Sequence, residues 1–287
     1  SIIYSNQKLL YDALYHAASA TLNELAKDSK YLGANIGYIC ILHTWGSAMN
    51  YHPHIHTIVL GGGLDDENKW KETGGNFFLP YGVISKVFRG KYLDELKSLW
   101  NDSKLKFHGT AEKYQNSYRF KELLDKCYEK NWVTYCKETF NGAQSVINYL
   151  GKYTHRIAIS NHRIKSMTDT TVTYVVKDYK NEGCWKEKTI SGEEFIRRFM
   201  MHVPPKRFVR IRHYGLLSCR NKRKKITLCR NLLGCKKYIS TLKNLNAVEM
   251  IKVLYHIDVC KCSSCGGNMV SPRKDKYSSS FRAHMRC

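Results

Sequence analysis

The chain has 287 residues, 43% of them apolar, and its 47 Lys and Arg outnumber 24 Asp and Glu to leave a net charge of +23. The apolar share supports a buried core in one large domain or two and excludes a wholly disordered chain, while the charge requires a polyanionic partner. The longest apolar run, Ile36 to Leu42, is far short of the roughly 20 residues that cross a bilayer, and no signal-peptide pattern opens the chain.

Residues 6 to 29 read as an amphipathic helix, with Leu10, Leu14, Ala17, Ala18, Leu22 and Leu25 spaced by three and four. Ile36 to Trp45 and Ile55 to Leu60 are β-prone runs parted by Gly46 to Asn50 and stopped by Gly61-Gly62-Gly63. A short strand is expected near Phe77 to Leu79. Helices follow over Ile84 to Phe107 and Tyr118 to Cys136, and a third begins after Asn141-Gly142 and carries Tyr149 and Tyr153. Strands return at Ile157 to Ile159, Val172 to Val176 and Cys184 to Ile190. Ser191 and Glu194 have capping-box spacing, so a helix runs from there to His202 and ends at Pro204-Pro205.

Between Phe195 and Val248 there are fifteen Lys or Arg and no acidic residue. The densest part is Arg220-Asn221-Lys222-Arg223-Lys224-Lys225, followed by Leu228, Leu232 and Leu233 at helical spacing. Charge runs are usually solvated faces. Here the excess exceeds what solubility needs, and contacts to backbone phosphates explain it. Phe199, Phe208, Tyr214 and Tyr238 are interleaved, and aromatic rings of this kind stack on unpaired bases.

Eleven cysteines, an odd number at mostly irregular spacing, fit a reduced compartment better than a disulfide scaffold. Only the tail clusters them. Cys262-x-x-Cys265-Gly-Gly has the knuckle spacing of a zinc ribbon, and His284 and Cys287 are candidates for the second ligand pair, with Cys260 in reserve. Four protein ligands there would make a structural zinc.

The densest chemical constellation is His52-Pro53-His54-Ile55-His56, with His43 upstream. Alternate residues of a strand share a face, so His54 and His56 form a two-imidazole platform for a divalent metal. Pro53 cannot donate into a central ladder, which starts the strand near that point and leaves His52 just outside. Half-exposed strand histidines with no metal are the plain alternative. On the later helix, Tyr149 and Tyr153 are four residues apart and share a face, with Lys152 and Arg156 placed to offset phosphate charge. Core packing is the plain alternative for that pair, in a chain with 20 tyrosines.

The two motifs together resemble the signature of HUH single-strand endonucleases. Longer stretches are similar to the two-tyrosine transposases of the insertion-sequence-91 family: His43-Thr44-Trp45-Gly46, Tyr51 to His56 with Gly61 to Leu64, Asn148 to Ser160, Phe195 to Phe199, and Arg210 to Ser218. The resemblance spans about residues 36 to 267. It implies nicking and joining of single-stranded DNA, including transposon ends, through a 5′-phosphotyrosine in rolling-circle-like transposition that leaves a free 3′-OH. It also implies Tyr149 and Tyr153 as nucleophiles, His54 and His56 as ligands of Mg or Mn, and a ferredoxin-like palm. The third ligand stays open between His43, His52 and a water, because Ser47 stands where relatives often have Gln. Family members usually begin with a zinc-binding module. The chain starts at Ser1 rather than Met and has no cysteines before residue 36, so an upstream domain is expected to be missing.

The expected architecture is α/β (α+β): an antiparallel sheet with helices as an HUH domain over 1–203, a basic DNA-binding segment over 204–254, and a zinc ribbon over 255–287. Arg156, Arg210, Arg212, Arg220, Lys222, Arg223, Lys224 and Lys225 are the candidate DNA contacts. The expected setting is the cytoplasm, with the protein on the nucleoid when DNA-bound. Two other readings are a catalytically silent DNA-binding derivative and a plasmid replication initiator or relaxase. A metallohydrolase using water is a third, and it predicts no covalent adduct.

Overall fold

The computed structural model describes residues 1–74, 79–136, 142–154, 158–178, 182–235, 242 and 244–269, with the side chains at 143, 144 and 152–154 left undescribed. The chain divides into two compact units between Gly234 and Cys235. The segment 204–254 therefore straddles a division. Among the described residues no helix is long and apolar enough to cross a membrane.

The first unit opens with α1 (Ile2–Ser5) and α2 (Gln7–Lys27). The three-and-four spacing puts Leu10, Leu14, Ala17, Leu22 and Leu25 on one buried face with Tyr11 and Tyr15. Strands β1 (Asn35–Trp45) and β2 (Tyr51–Leu64) form an antiparallel hairpin, and β3 (Trp70–Glu72) pairs with the far end of β2. Further along the chain, β7 (Ile211–Gly215) pairs with the other edge of β1. The resulting sheet has the order β3-β2-β1-β7. No periodicity marks β7 in the basic segment, and an edge strand of five residues leaves little to read.

This sheet has two distinct faces, set by strand alternation. Ile36, Tyr38, Cys40 and Leu42 of β1 and Ile55 and Val59 of β2 join α2 and α3 (Tyr81–Asn101) in the main core. Each fully buried large side chain contributes roughly 1.5–3 kcal/mol there. Tyr15 donates to the carbonyl of Arg210 at 2.5 Å and accepts from the Leu42 amide at 3.0 Å, which ties α2 to both strands. The opposite face carries His43, His54 and His56. A short 3-10 turn (Gly109–Gln115), α4 (Ser117–Glu129) and α5 (Ala143–Thr154) complete this half.

A second antiparallel sheet, β4-β5-β6, comprises β4 (Ile164–Met167), β5 (Thr171–Asp178) and β6 (Cys184–Ser191), with α6 (Gly192–Met200) packed beside it. Its core is Tyr174, Val176 and Ala158 around Met49, which sits in the β1–β2 turn. Ser191 caps α6 by accepting the Glu194 amide at 3.2 Å, as its spacing predicts. The strand expected at Ile157 to Ile159 does not form over the described residues 158 and 159: Ala158 takes a left-handed φ of 55°, which interrupts an extended run. The strand expected near Phe77 to Leu79 lies mostly outside the described residues.

Helix α7 (Lys222–Leu232) closes the first unit, and Leu216, Leu228 and Cys229 pack against Leu60, Leu64 and Trp70. In the second unit α8 (Ala247–Tyr255) starts with a capping box made by Asn246 and Glu249. Cys262 and Cys265 follow in a tight turn, where the amides of Cys262 and Gly266 bond to the carbonyls of Gly267 and Cys262 at 2.8 and 2.9 Å. The mixed α+β class with antiparallel sheets agrees with the sequence expectation.

Candidate metal and nucleophile site

The β1–β2 register fixes the site. His43 pairs directly with His54, and Ile41 with His56, so all three imidazoles leave the same face of the hairpin. One nitrogen from each of His43, His54 and His56 lies within 4.8 Å of the other two. His43 is buried at 4% exposure, and its ring centroid is 4.3 Å from that of His56.

The ring nitrogens are sorted by their partners. His54 Nδ1 lies 2.7 Å from the carbonyl oxygen of His52, which only accepts, so that nitrogen carries the proton. The Nε2 lone pair of His54 is then turned towards His56 Nε2, 3.0 Å away. Burial pushes the His54 imidazole below its ordinary pKa, and burial followed by the nearby His54 pushes His56 down to about 4. Neutral imidazoles are the form that ligates a metal. Three imidazole nitrogens converging at this spacing fit a divalent first-row ion with open positions.

Tyr149, from α5, places its hydroxyl 2.9 Å from His56 Nδ1. One imidazole thus faces the three-nitrogen cluster with one edge and the phenol with the other. Lys152 and Tyr153 continue α5 with undescribed side chains, and Arg156 lies outside the described residues.

β2 begins at Tyr51 rather than after Pro53, which corrects the placement of His52 outside the strand. The β1–β2 register shifts between His43 and Trp45, opposite Tyr51 to His54, and this irregularity spares Pro53 a ladder donor. The exposed His52 contributes its carbonyl and does not belong to the three-nitrogen group.

Ser47 serves another purpose. Its hydroxyl accepts the Lys177 amide at 2.6 Å, and its carbonyl accepts the Arg163 guanidinium, which also donates to the Val175 carbonyl. Tyr174 and Arg198 donate to the Ala48 carbonyl at 3.3 and 3.1 Å. His202, 3% exposed, donates from Nε2 to the Met49 carbonyl, so its Nδ1 accepts from the Thr44 hydroxyl. The turn linking the two histidine-bearing strands is therefore clamped by the second sheet and α6. Sequence alone holds no signal for this clamp, because its partners are more than 100 residues apart.

Trp45 stacks on His43 with centroids 4.5 Å apart, and the Arg210 guanidinium lies over Trp45 at 5.5 Å. Arg210 Nη2 is buried without a hydrogen-bond partner among the described residues. Arg212 is engaged within the fold, paired to Asp12 and over the Tyr15 ring at 4.0 Å. Arg220, Lys222, Arg223 and Lys224 are exposed, and Lys225 donates to Asn68 at 3.0 Å. Of the expected zinc ligands, Cys262 and Cys265 sit in the tight turn, while His284 and Cys287 lie outside the described residues.

The family described as "Putative transposase" matches residues 37–225, which include both site strands, α5 and the start of α7. A protein of Sinorhizobium fredii named "Putative transposase y4qJ" is 40% identical over 235 residues, covering 82% of this chain and 59% of its own length. The "Transposase for insertion sequence element IS801" of Pseudomonas savastanoi pv. phaseolicola is 27% identical over 278 residues, covering 93% of this chain and 63% of its own. The chain thus spans about three fifths of the length of these curated relatives. No solved structure matches it. With the family matched across the histidine strands and the tyrosine helix, the chain belongs to the insertion-sequence-91 family of two-tyrosine transposases.

Proposed function

We propose that the chain is the nicking and joining domain of a transposase, a metal-dependent DNA transesterase acting on single-stranded transposon ends in rolling-circle-like transposition. The observation that carries this reading is the 2.9 Å contact between the Tyr149 hydroxyl and His56, a member of the three-histidine cluster. The β3-β2-β1-β7 sheet is read as the HUH palm.

His43, His54 and His56 would hold one Mg or Mn ion, with His43 as the third ligand. A divalent ion at that place supplies polarisation of a phosphate oxygen and offsets charge on the departing 3′ oxygen. Tyr149 attacks the phosphorus, its phenolic proton passes to solvent, and the new bond is a 5′-phosphotyrosine with a free 3′-OH released. Tyr153, one helical turn further on α5, is the second nucleophile, so one site retains a covalent 5′ end while a second strand is cut. Lys152 and Arg156 offset phosphate charge nearby. Arg210 adds a cation behind Trp45, and Arg220 with Lys222 to Lys225 contacts DNA backbone. Cys262 and Cys265, with His284 and Cys287, are proposed to hold a structural zinc.

The test is covalent trapping. The protein is incubated with 3′-end-labelled mixed-sequence single-stranded DNA and Mn²⁺ or Mg²⁺, denatured, and resolved on a gel. Label migrating with the protein, absent under chelation and absent from Tyr149→Phe/Tyr153→Phe, is the expected result. Metal-dependent cleavage without protein-bound label would instead mean hydrolysis by water. Salt-sensitive binding with no cleavage, also when a longer form of the protein is used, would mean a silent DNA-binding protein.

A further inference from the structure

The β1–β2 hairpin carries an irregularity beside the histidines. Trp45 pairs with Tyr51 and His43 with His54, so Thr44 alone stands opposite both His52 and Pro53. This bulge decides which face the histidines take. Continued without it from Trp45 and Tyr51, the ladder would set His43 against Pro53, and His54 and His56 against Leu42 and Cys40, whose side chains lie in the main core. A one-residue slip turns every side chain of a strand to the other face, so His54 and His56 would part from His43. The three-nitrogen cluster exists because the extra residue falls between His54 and the turn.

Two features hold this bulge in place. Pro53 has no N–H to give to a ladder, which suits it to the unpaired position. The other is His202, buried just past the end of α6. Its Nδ1 accepts from the hydroxyl of Thr44, the single residue of the bulge on β1, at 3.2 Å, and its Nε2 donates to the Met49 carbonyl at 3.2 Å. Its ring stacks on Tyr51, with centroids 6.3 Å apart and planes 16° from parallel, and meets Trp45 edge-on at 6.1 Å. One imidazole thus touches Thr44 and both members of the pair that borders the bulge on the turn side. Helix α6 is itself fastened over the turn by Arg198, bonded to the Ala48 carbonyl, and by Phe195 and Phe199 in the core around Met49. With both nitrogens committed to these bonds, His202 stands apart from the three-nitrogen group while touching the strands that carry it.

We propose that His202 is a positioning residue for the metal ion of the proposed mechanism: by holding Thr44 and Met49 it locks the bulge in the register that turns His54 and His56 to the side of His43. The proposal rests on the reading above that these three histidines bind the ion. It separates His202 from other contacts to the turn, such as the Tyr174 hydroxyl on the Ala48 carbonyl, which fasten the turn without touching the bulge.

The experiment combines Mn²⁺ calorimetry with thermal melting in chelator on the whole chain and on His202→Gln, His202→Phe, Thr44→Val and Tyr174→Phe. Glutamine can donate to Met49 and accept from Thr44, whereas phenylalanine keeps the packing on Tyr51 and Trp45 and makes neither bond. Thr44→Val removes one bond from the opposite side and serves where His202→Phe does not fold. Expected is Mn²⁺ affinity within about threefold of wild type in His202→Gln and at least about tenfold weaker in His202→Phe, with Thr44→Val between them. Tyr174→Phe, the control, lowers the melting point and leaves affinity within about threefold. Affinity that merely follows the melting point across the four variants, or wild-type affinity in His202→Phe or Thr44→Val, would overturn the proposal. A second readout needs no metal. His43→Cys/His54→Cys, placed across the directly paired positions, should form a disulfide under mild oxidation, read as a linked peptide by mass spectrometry, at least about ten times faster with His202 and Thr44 intact than beside His202→Phe or Thr44→Val. Equal disulfide rates would also overturn it. If the wild type binds no Mn²⁺ while those rates differ, the metal reading fails and the positioning role stands.

Discussion

Tyr149 and His56 meet at 2.9 Å across two elements that lie 93 residues apart in the chain, and the far edge of the same imidazole is 3.0 Å from His54. A shared ring couples the position of the phenol to that of the three-histidine cluster. Removing both phenols, Tyr149→Phe/Tyr153→Phe, is expected to reduce covalent DNA adduct by at least about 100-fold, since the proposed mechanism has no nucleophile besides them. Mn²⁺ affinity measured by calorimetry should stay within about threefold, because neither phenol belongs to the donor group. A double variant that still forms adduct would place the nucleophile elsewhere.

The cross-strand pairing of His43 with His54 makes a sharp distinction between two histidines that are equivalent candidates in the sequence. His43→Ala is expected to weaken Mn²⁺ binding by at least about 100-fold through loss of a ligand, and His52→Ala by less than about threefold, since only its backbone carbonyl orients His54. Trp45→Leu, which removes the ring stacked on His43, should fall between them at about tenfold. Calorimetric titration of the three variants orders them directly, and the reverse order for His43 and His52 would reassign the ligand.

Acidity acts on the same cluster with a definite sign. His56 has a folded pKa of about 4, below the roughly 6.5 of an unfolded imidazole, and His54 is shifted in the same direction. The unfolded chain therefore takes up more protons than the folded one between those values. Stability present above about pH 6.5 is lost as the pH falls towards 4. Thermal melting in chelator should show this decline, and His56→Gln should flatten it, because an amide does not titrate. An unchanged slope in that variant would move the titration to another group.

Local pattern revealed what depends on neighbours in sequence. The helical spacing from Leu10 to Leu25 gave α2, alternation gave β5 and β6, and Ser191 with Glu194 marked the start of α6. His54 and His56 were legible because two positions in a strand necessarily share a face. His43 was a candidate but its place was not legible: extending the hairpin outward from the Gly46 to Asn50 turn sets it opposite Pro53, and the register shift between His43 and Trp45 is what brings it opposite His54. What was not legible depends on contacts made over long separations. Strand β7 acquires its identity from pairing with β1, and Ser47 acquires its role from Arg163 and Lys177 of the second sheet.

Ser47 illustrates the consequence. Occupying the place where a Gln ligand is expected, it invites a reading as a degraded metal ligand, yet its hydroxyl receives a backbone amide of β5. Ser47→Ala is expected to leave Mn²⁺ affinity within about threefold and to lower unfolding free energy by about 1 kcal/mol for the lost hydrogen bond. Denaturant melts and metal titration on one preparation separate the two effects. A large loss of metal affinity with unchanged stability would restore Ser47 to the ligand set.

Gly215 ends β7 where the strand turns towards α7, and it does so with a φ of 57°. A Cβ at that position would collide with the carbonyl oxygen of Ile36, in the backbone of central strand β1. That oxygen already accepts the Leu216 amide at 3.1 Å, so it cannot retreat without losing the bond that leads the chain off the sheet. Two penalties then add: a left-handed backbone that favours glycine, and a backbone clash that no rotamer relieves. Gly215→Ala is expected to cost about 2–4 kcal/mol, which approaches the total stability margin of many domains. Gly61→Ala, whose added Cβ would meet nothing within 4 Å, should cost less than about 1 kcal/mol and is the matched control. Urea unfolding of the two variants checks the difference. Equal midpoints would mean that the turn into α7 relaxes without disturbing β1.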